Sequence, residues 1–347
     1  MKRYTMKYVP LLAGMLTVFS SCEHKDLCFD HEEHAPKSEI RVKAEYEKEW
    51  ELTCGEGPDW KNHSTWSTVF GMEYDMLRPG IPDGLRVQAY HADGSNSVLN
   101  IAPEGEIVRL RPGEHSVLLY NNDTEYIVFD DMNSFASAKA TTRARTRSSY
   151  IGNSYLAETD ENTVNEPDML YGHYIESYTA ERKTEPDELS VTMHPLVFTY
   201  LVRYEFSHGL KYVALARGAL AGMAGAVWLN SGRTAEEAAT VLYDCTVEDF
   251  GVQARVRSFG IPDYPNALYK ARASERKYAL NLEVRLRNGK IKSFDFDVTD
   301  QVAVQPRGGV IVVSGIEIPD EEGMEGGSGF DVDIEDWGEY EDIELPL

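Results

Sequence analysis

Apolar and polar side chains alternate along several short stretches of the chain. In IRVKAEYE (40–47) apolar residues occupy every second position from Ile40 to Tyr46, and charged residues fill the positions between. LRVQAYHA (85–92) and LSVTMHPLVFTYLVRYEF (189–206) contain similar alternation. A repeat of two is typical of a β-strand with one buried face, so the pattern predicts strands in all three stretches.

The clearest local pattern is YALNLEVRLRNGKIKSFDFDV (278–298), where Asn288-Gly289 separates two alternating runs. Asn-Gly favours the tight turn of a β-hairpin. Many short strands separated by turns indicate an all-β protein, and 347 residues exceed a typical single domain. We therefore expect two tandem antiparallel β-sandwich domains.

The same patterns suggest domain limits. We predict a signal peptide (1–21), a tether (22–37), an N-terminal sandwich (38–150), an irregular connection (151–186), a C-terminal sandwich (187–319) and an acidic tail (320–347). Within that tail, alternation in GFDVDIEDW (329–337) predicts a terminal strand. Its acidic edge at 330–335 is a candidate partner contact, and the alternative is an ordinary last strand of the second sandwich.

The start of the chain is typical of an exported protein. A basic beginning precedes the apolar run 9–19, and two serines then lead to Cys22. This ending resembles the lipobox of bacterial lipoproteins, although Phe19 stands where leucine is usual, and it predicts cleavage between Ser21 and Cys22 with lipid on Cys22. An ordinary secretory signal cut a few residues later is the alternative. The apolar run is shorter than the roughly 20 residues of a transmembrane helix, so the lipid is the expected membrane attachment.

Charge excludes one class of partner. The formal net charge is −24, and no lysine or arginine follows Arg307. Nucleic-acid binding relies on basic side chains, so nucleic acid is not an expected partner.

Cysteines and acidic residues are the candidate metal ligands in this sequence. Once Cys22 is lipidated an odd number of cysteines remains, and whether any of them form a disulfide stays open: Cys28, Cys54 and Cys245. Their spacing does not match a zinc site. The acidic residues at the chain end lack the glycine of a calcium-binding EF-hand: Asp331, Asp333 and Asp336. We expect no metal and no cofactor.

The sequence contains no clear catalytic motif. His194 and His208 flank a strand pattern without a nucleophile motif nearby. Trp60 and Trp66 suggest an aromatic platform for sugars, and the alternative is a loop packed on the first sandwich. The protein is therefore not expected to be an enzyme.

The segment 134–150 is small, hydroxylic and basic, with Arg143, Arg145 and Arg147 at alternate positions. This composition predicts an exposed loop. A functional interpretation is a cleavage site for an Arg-specific protease, because exposed flexible segments are easily cut.

With these features in hand, the chain resembles the fimbrillin-like lipoproteins of Bacteroidales-type bacteria, which include fimbrium stalks, tips and FimB-type anchors. The resemblance rests on SSCEHKDLCFDH (20–31), RLRPGEHSVLLYNNDTEYIVF (109–129), LAGMAGAVWLNSG (220–232) and GFDVDIEDW (329–337). It implies sandwiches of transthyretin-like topology and lipid-anchored display on the outer membrane. In that family, stalk subunits are matured by an Arg-specific protease and donate a strand to a neighbour.

The chain departs from the stalk pattern. Arg41 lies inside the first predicted strand and the 143–147 arginines lie between the domains, so no clear processing site precedes the first domain. We therefore expect an anchor or accessory subunit of fimbriae, acting in structure or cell adhesion and contacting other subunits by strand donation. The alternative is a carbohydrate-binding surface lipoprotein with a glycan as ligand.

Overall fold

The computed structural model describes residues 38–53, 57–148, 150, 152–155, 161–266, 276–324, 337 and 342–344, the last three by their backbone. The strands of the described residues are β1 (Glu39–Tyr46), β2 (Leu85–His91), β3 (Asn96–Ile101), β4 (Ile107–Arg109), β5 (Gly113–Asn121), β6 (Ile127–Asp130), β7 (Lys139–Thr142), β8 (Arg145–Arg147), β9 (Asn162–Asn165), β10 (Tyr171–Ala180), β11 (Asp187–Pro195), β12 (Phe198–His208), β13 (Val213–Ala224), β14 (Ala226–Trp228), β15 (Ala238–Glu248), β16 (Gly251–Ser258), β17 (Ala279–Leu286), β18 (Ile291–Asp297), β19 (Gly309–Glu317) and β20 (Asp342–Glu344).

Helices are short. The α-helices are α1 (Trp66–Phe70), α2 (Thr299–Ala303) and α3 (Asp320–Met324), and 3-10 turns cover Tyr74–Leu77 and Leu210–Tyr212. None of the helices in the described part of the chain has the length and apolar character needed to span a bilayer.

The first main sheet contains seven strands in the order β3-β2-β5-β10-β11-β1-β4. Its core is filled by the alternating apolar positions, such as Ile40 and Val42 in β1 and Val117 and Leu119 in β5. Burying every second side chain against one core is what the period-2 pattern requires. The sequence-based prediction of strands at 40–47 and 85–92 is thus confirmed by β1 and β2.

The segment 151–186 is not an irregular connection. It contains β10, which lies in the middle of the first sheet and pairs antiparallel with β5 from Gly172 opposite Tyr120 to Ala180 opposite Gly113. β11, expected to open the second domain, also belongs to the first sheet, where it runs parallel to β1. The polar composition of β10 was misleading because its side chains alternate between buried and exposed positions along a half-solvated strand.

The second main sheet follows the order β18-β17-β13-β15-β16-β12-β19, with β9 added on β15. β12 pairs with β19 and β15 pairs with β9 in parallel, so the sheets are mixed rather than purely antiparallel. Tyr200, Leu220 and Leu282 lie in its buried core. The chain is therefore mostly β, with two main curled sheets.

The predicted hairpin is confirmed. β17 and β18 pair antiparallel from Ala279 opposite Asp297 to Arg285 opposite Ile291. Gly289 in the turn has φ of +86°, a left-handed conformation that glycine adopts without steric cost.

A third cluster joins the two sheets. It packs Leu118 and Tyr120 of β5 and Leu196 against Leu229 and Phe259. A small sheet of the order β14-β7-β6 lies beside it. Because its side chains come from both halves of the sequence, this cluster fixes one sheet against the other.

Candidate functional site: the C-terminal strand and the arginine segment

The last described residues of the chain lie against an early segment. β20 pairs antiparallel with β8, with Asp342 opposite Arg147, Ile343 opposite Thr146 and Glu344 opposite Arg145. These two strands form a two-stranded sheet outside the main sheets. Almost 200 residues of sequence separate them, so the end of the chain returns to the junction of its two halves.

The arginine segment is not an exposed loop. β7 and β8 form within 134–150, and Arg147 is only 4% exposed. Its guanidinium donates to the carbonyl oxygens of Gly218, at 3.1 Å, and Tyr243, at 3.4 Å. The alternate spacing of these arginines, interpreted above as loop chemistry, was the period of a strand.

Arg145 is held through its side chain and Arg143 through its backbone. Arg145 forms an ion pair with Asp244 at 3.5 Å and donates to the Leu242 carbonyl oxygen at 3.4 Å. The Arg143 carbonyl oxygen accepts from the Asn165 N–H at 2.9 Å. Paired backbone on both sides is a poor protease substrate, because cleavage needs an extended, accessible segment.

A second contact holds the chain end on the sheet. The ring of Trp337 lies 3.9 Å from the guanidinium carbon of Arg217 in β13. A stacked arginine and tryptophan attract each other through the ring quadrupole. The terminal segment thus touches the outer side of the second sheet as well as β8.

Several predicted site residues lie outside the described residues. These are Ser21 and Cys22 of the cleavage site, Cys28, Cys54, and the acidic alternation at 330–335 with Asp331, Asp333 and Asp336. Cys245 lies in β15 as a free, half-buried cysteine, and burial raises the pKa of its thiol. Raised thiol pKa lowers thiolate reactivity, which indicates a packing residue.

The two candidate histidines form surface pairs. His194 Nδ1 lies 3.0 Å from Glu47, and His208 Nε2 lies 3.0 Å from Asp320. Both imidazoles are about half exposed. Within the described ranges no group of three or more metal-ligating side chains converges.

The tryptophans do not form a platform. Trp66 is 5% exposed, and its ring packs 4.4 Å from Phe70 and 5.7 Å from Trp50. Trp60 is half-buried beside it, with Nε1 donating to Gln305 at 2.7 Å.

The tryptophan cluster also corrects the expected packing. It lies on Leu201 of β12 and Val310 of β19, so the loop packs on the second sheet, where the sequence interpretation placed it on the first. The loop follows β1 of the first sheet in the sequence, but it crosses to the second sheet, so its position in the chain predicted the wrong sheet.

Comparisons with known proteins agree with this architecture. Residues 73–244 match the family model described as a domain of unknown function, DUF5119. Over 304 residues the chain is 23% identical to the putative fimbrium anchoring subunit Fim4B of Bacteroides ovatus, covering 80% of this chain and 88% of that protein. Along most of its length the chain is therefore similar to a protein named as a fimbrium anchoring subunit.

A solved structure has a similar overall fold. The crystal structure of a putative adhesin from Bacteroides ovatus has a TM-score of 0.55 at 20% identity, covering 82% of this chain and 95% of that one. A more remote likeness, with a TM-score of 0.42 at 11% identity, is to the fimbrial anchor protein Mfa2 of Porphyromonas gingivalis; it covers 80% of this chain and 90% of that one.

Proposed function

We propose that this protein is a structural subunit of fimbriae at the cell surface, acting as an anchor or accessory subunit. The relative named as a fimbrium anchoring subunit aligns along most of both chains, which supports a shared role for the whole architecture. The role is mechanical and does not require catalysis. The buried arginine segment and the surface-paired histidines suit a scaffold better than an active site.

We propose that β20 is the strand through which the protein contacts a neighbouring subunit. The observation that carries this is its pairing with β8 in a separate two-stranded sheet, outside both main sheets. Among the described residues three pairs join β20 to β8, and a longer groove on a neighbour would provide more main-chain hydrogen bonds. Strand exchange leaves both main sheets intact.

We propose that lipid on Cys22 anchors the protein in the outer membrane. The residues 22–37 then form the tether between lipid and β1. Several acyl chains on one cysteine give lasting attachment, since each buried methylene contributes about 0.8 kcal/mol. A permanent tether suits a subunit that stays at the base of a fimbrium.

We also propose that each curled sheet closes around its own core as a sandwich of transthyretin-like topology. Two separate apolar clusters support this, one around Val117 and Tyr171 and the other around Tyr200 and Leu282. The carbohydrate-binding alternative keeps Trp60 as its candidate residue, because Trp66 is a packed core residue.

The strand proposal is tested by Ile343→Pro, with Ile343→Val as the matched control. Proline removes a backbone N–H and is poorly tolerated in a paired strand, whereas valine favours strands. In the native organism we expect the Pro variant to reach the outer membrane at wild-type level while fimbriae are shed into the medium. The Val variant should retain them. Full retention of fimbriae by the Pro variant would exclude β20 as the contact.

A further inference from the structure

A cleft of about 800 Å³ opens where the two sheets meet. One wall is the chain that leaves β1, from Glu47 to Thr53. The facing wall contains Tyr174 of β10 and Leu196, which follows β11. Leu229, from the second half of the chain, also lines it. A pocket of this size at a domain junction is a common place for ligand binding.

Three carboxylates line the first wall at alternate positions, and two of them already hold basic partners. Glu49 pairs with Lys61 at 2.8 Å and with Arg78 at 3.4 Å. Glu47 lies 3.0 Å from His194. Glu51 is the exception, because among the described residues Tyr74 alone donates to it, at 3.1 Å.

Glu51 is also the most buried of the three, with 5% exposure. A carboxylate can accept about four hydrogen bonds, so one donor leaves most of its capacity unused. Burial is the largest influence on the pKa of Glu51. Tyr74 lowers this pKa, Asp59 and Glu49 raise it, and Lys61 lowers it through a weaker charge interaction, so that the pKa is raised to about 7. A cation delivered into the cleft would stabilise the charged form.

The basic residues of the cleft are already engaged. Lys61 is held by Glu49. Arg307 lies 5.3 Å from the ring centroids of Phe198 and Tyr264 and donates to the Gly232 carbonyl oxygen. Among the described residues, neither Lys61 nor Arg307 donates a hydrogen bond to Glu51.

The facing wall suits an aliphatic stem. It includes Leu196, Leu229 and the 41%-exposed Tyr174, and the rings of His173 and His194 stack beside them with centroids 6.1 Å apart. A long side chain with an apolar stem and a charged head fits a cleft that is apolar on one side and acidic on the other.

We propose that this cleft binds a lysine or arginine side chain of a partner polypeptide, with the cationic head on Glu51 and the stem against Tyr174 and Leu196. This inference goes beyond the fimbrial role and does not rest on strand exchange. The two fail separately, because the Ile343→Pro readout is fimbrial retention and the cleft readout is binding of a small molecule.

The test is calorimetric titration of the purified protein with Nα-acetyl-lysine methylamide and Nα-acetyl-arginine methylamide. A ligand of this size should bind with a Kd on the order of 1 mM. Nα-acetyl-norleucine methylamide, which keeps the stem without the charge, should bind at least about tenfold more weakly. Equal affinity for the norleucine and lysine compounds, or no heat with either basic compound, would overturn the proposal.

Glu51→Gln keeps the shape and removes the charge, and it should weaken the lysine compound at least about tenfold. Glu45→Gln is the matched control, since Glu45 is exposed in β1 and does not line the cleft. Ser231→Trp, at an exposed rim position, blocks the cleft without touching Glu51 and should abolish binding. Wild-type affinity for the lysine compound in Glu51→Gln or in Ser231→Trp would overturn the proposal, and so would preferential binding of a neutral methyl glucoside.

Discussion

Arg217 and Glu283 form a buried ion pair on the outer side of the second sheet. Arg217 Nη2 and Nε lie 2.6 Å and 2.9 Å from Glu283 Oε1, and the side chains are 1% and 2% exposed. The two residues are direct partners on β13 and β17, and Trp337 stacks over the arginine. A chain terminus therefore helps to exclude water from a charge pair on a sheet face.

Removing one charge of this pair should be costly. Glu283→Ala breaks the ion pair that joins two buried side chains, and breaking a buried pair typically costs about 3–5 kcal/mol. Urea unfolding followed by circular dichroism measures the loss. Glu248→Ala, on an exposed position of β15, is the control and should change stability by less than about 0.5 kcal/mol. Similar small effects for both variants would mean that the pair is solvated in solution.

The first sheet contains a buried histidine pair whose tautomers can be assigned. His115 Nε2 lies 2.6 Å from the Arg111 carbonyl oxygen and must donate to it. In neutral His115 the Nδ1 then accepts from His91 Nδ1, 2.9 Å away. His91 Nε2 is left deprotonated, buried and without a partner among the described residues. A proton added there would have no acceptor.

This pair should make the fold sensitive to acid. Burial first, and then His115 and Arg111, lower the pKa of His91 against a smaller raising effect of Asp93. Because the folded pKa lies below the unfolded value of about 6.5, the unfolded chain takes up the proton first. Stability contributed by this group is therefore complete above about pH 6.5 and is lost as pH falls through the folded pKa.

The measurement is the free energy of unfolding of wild type and His91→Phe at several pH values between about 7.5 and 5. The stability difference between them should shift in favour of the variant as pH falls. Val98→Phe, at an exposed position of β3, introduces a phenylalanine without removing a titratable group; it is the control and should show the pH dependence of the wild type. A His91→Phe curve parallel to the wild type would contradict the assigned tautomers.

Trp66 should behave as a core residue. Trp66→Ala removes a side chain packed on Phe70 and Trp50, and such truncations cost about 3–5 kcal/mol. Trp60→Ala, at the half-buried edge, should cost less. Thermal unfolding ranks the two variants, and a glycan array on the folded Trp60→Ala protein tests the sugar platform. Glycan binding by the wild type that disappears in Trp60→Ala would support the sugar-platform hypothesis.

Much of the fold could be predicted from alternation alone. β1, β2 and the β17–β18 hairpin are confirmed. β1 has one buried face, β2 carries apolar residues at alternate positions, and the hairpin has a turn of fixed chemistry. β10 was missed because its exposed positions are polar and its buried ones are few. The sequence pattern also could not predict which strands pair with each other, because the parallel pairing of β1 with β11 joins segments about 145 residues apart.

The candidate site was harder to predict. The arginine alternation at 143–147 carried a strand signal, but charge suggested solvent, and the carbonyl groups that hold Arg147 lie on distant strands. Glu51 likewise is one acid among many in the sequence, and only the folded chain places it in the cleft. Burial of charge depends on tertiary neighbours, which a local pattern does not contain.

The intact mass of the protein extracted from native membranes tests directly whether it is a permanently tethered fimbrial subunit. Peptide mapping of the N-terminus accompanies the mass. We expect one chain that begins at acylated Cys22 and is uncut at Arg143, Arg145 and Arg147. A chain that begins after an internal arginine, or an unacylated N-terminus beyond Cys22, would contradict the permanent tether and indicate a matured stalk-type subunit.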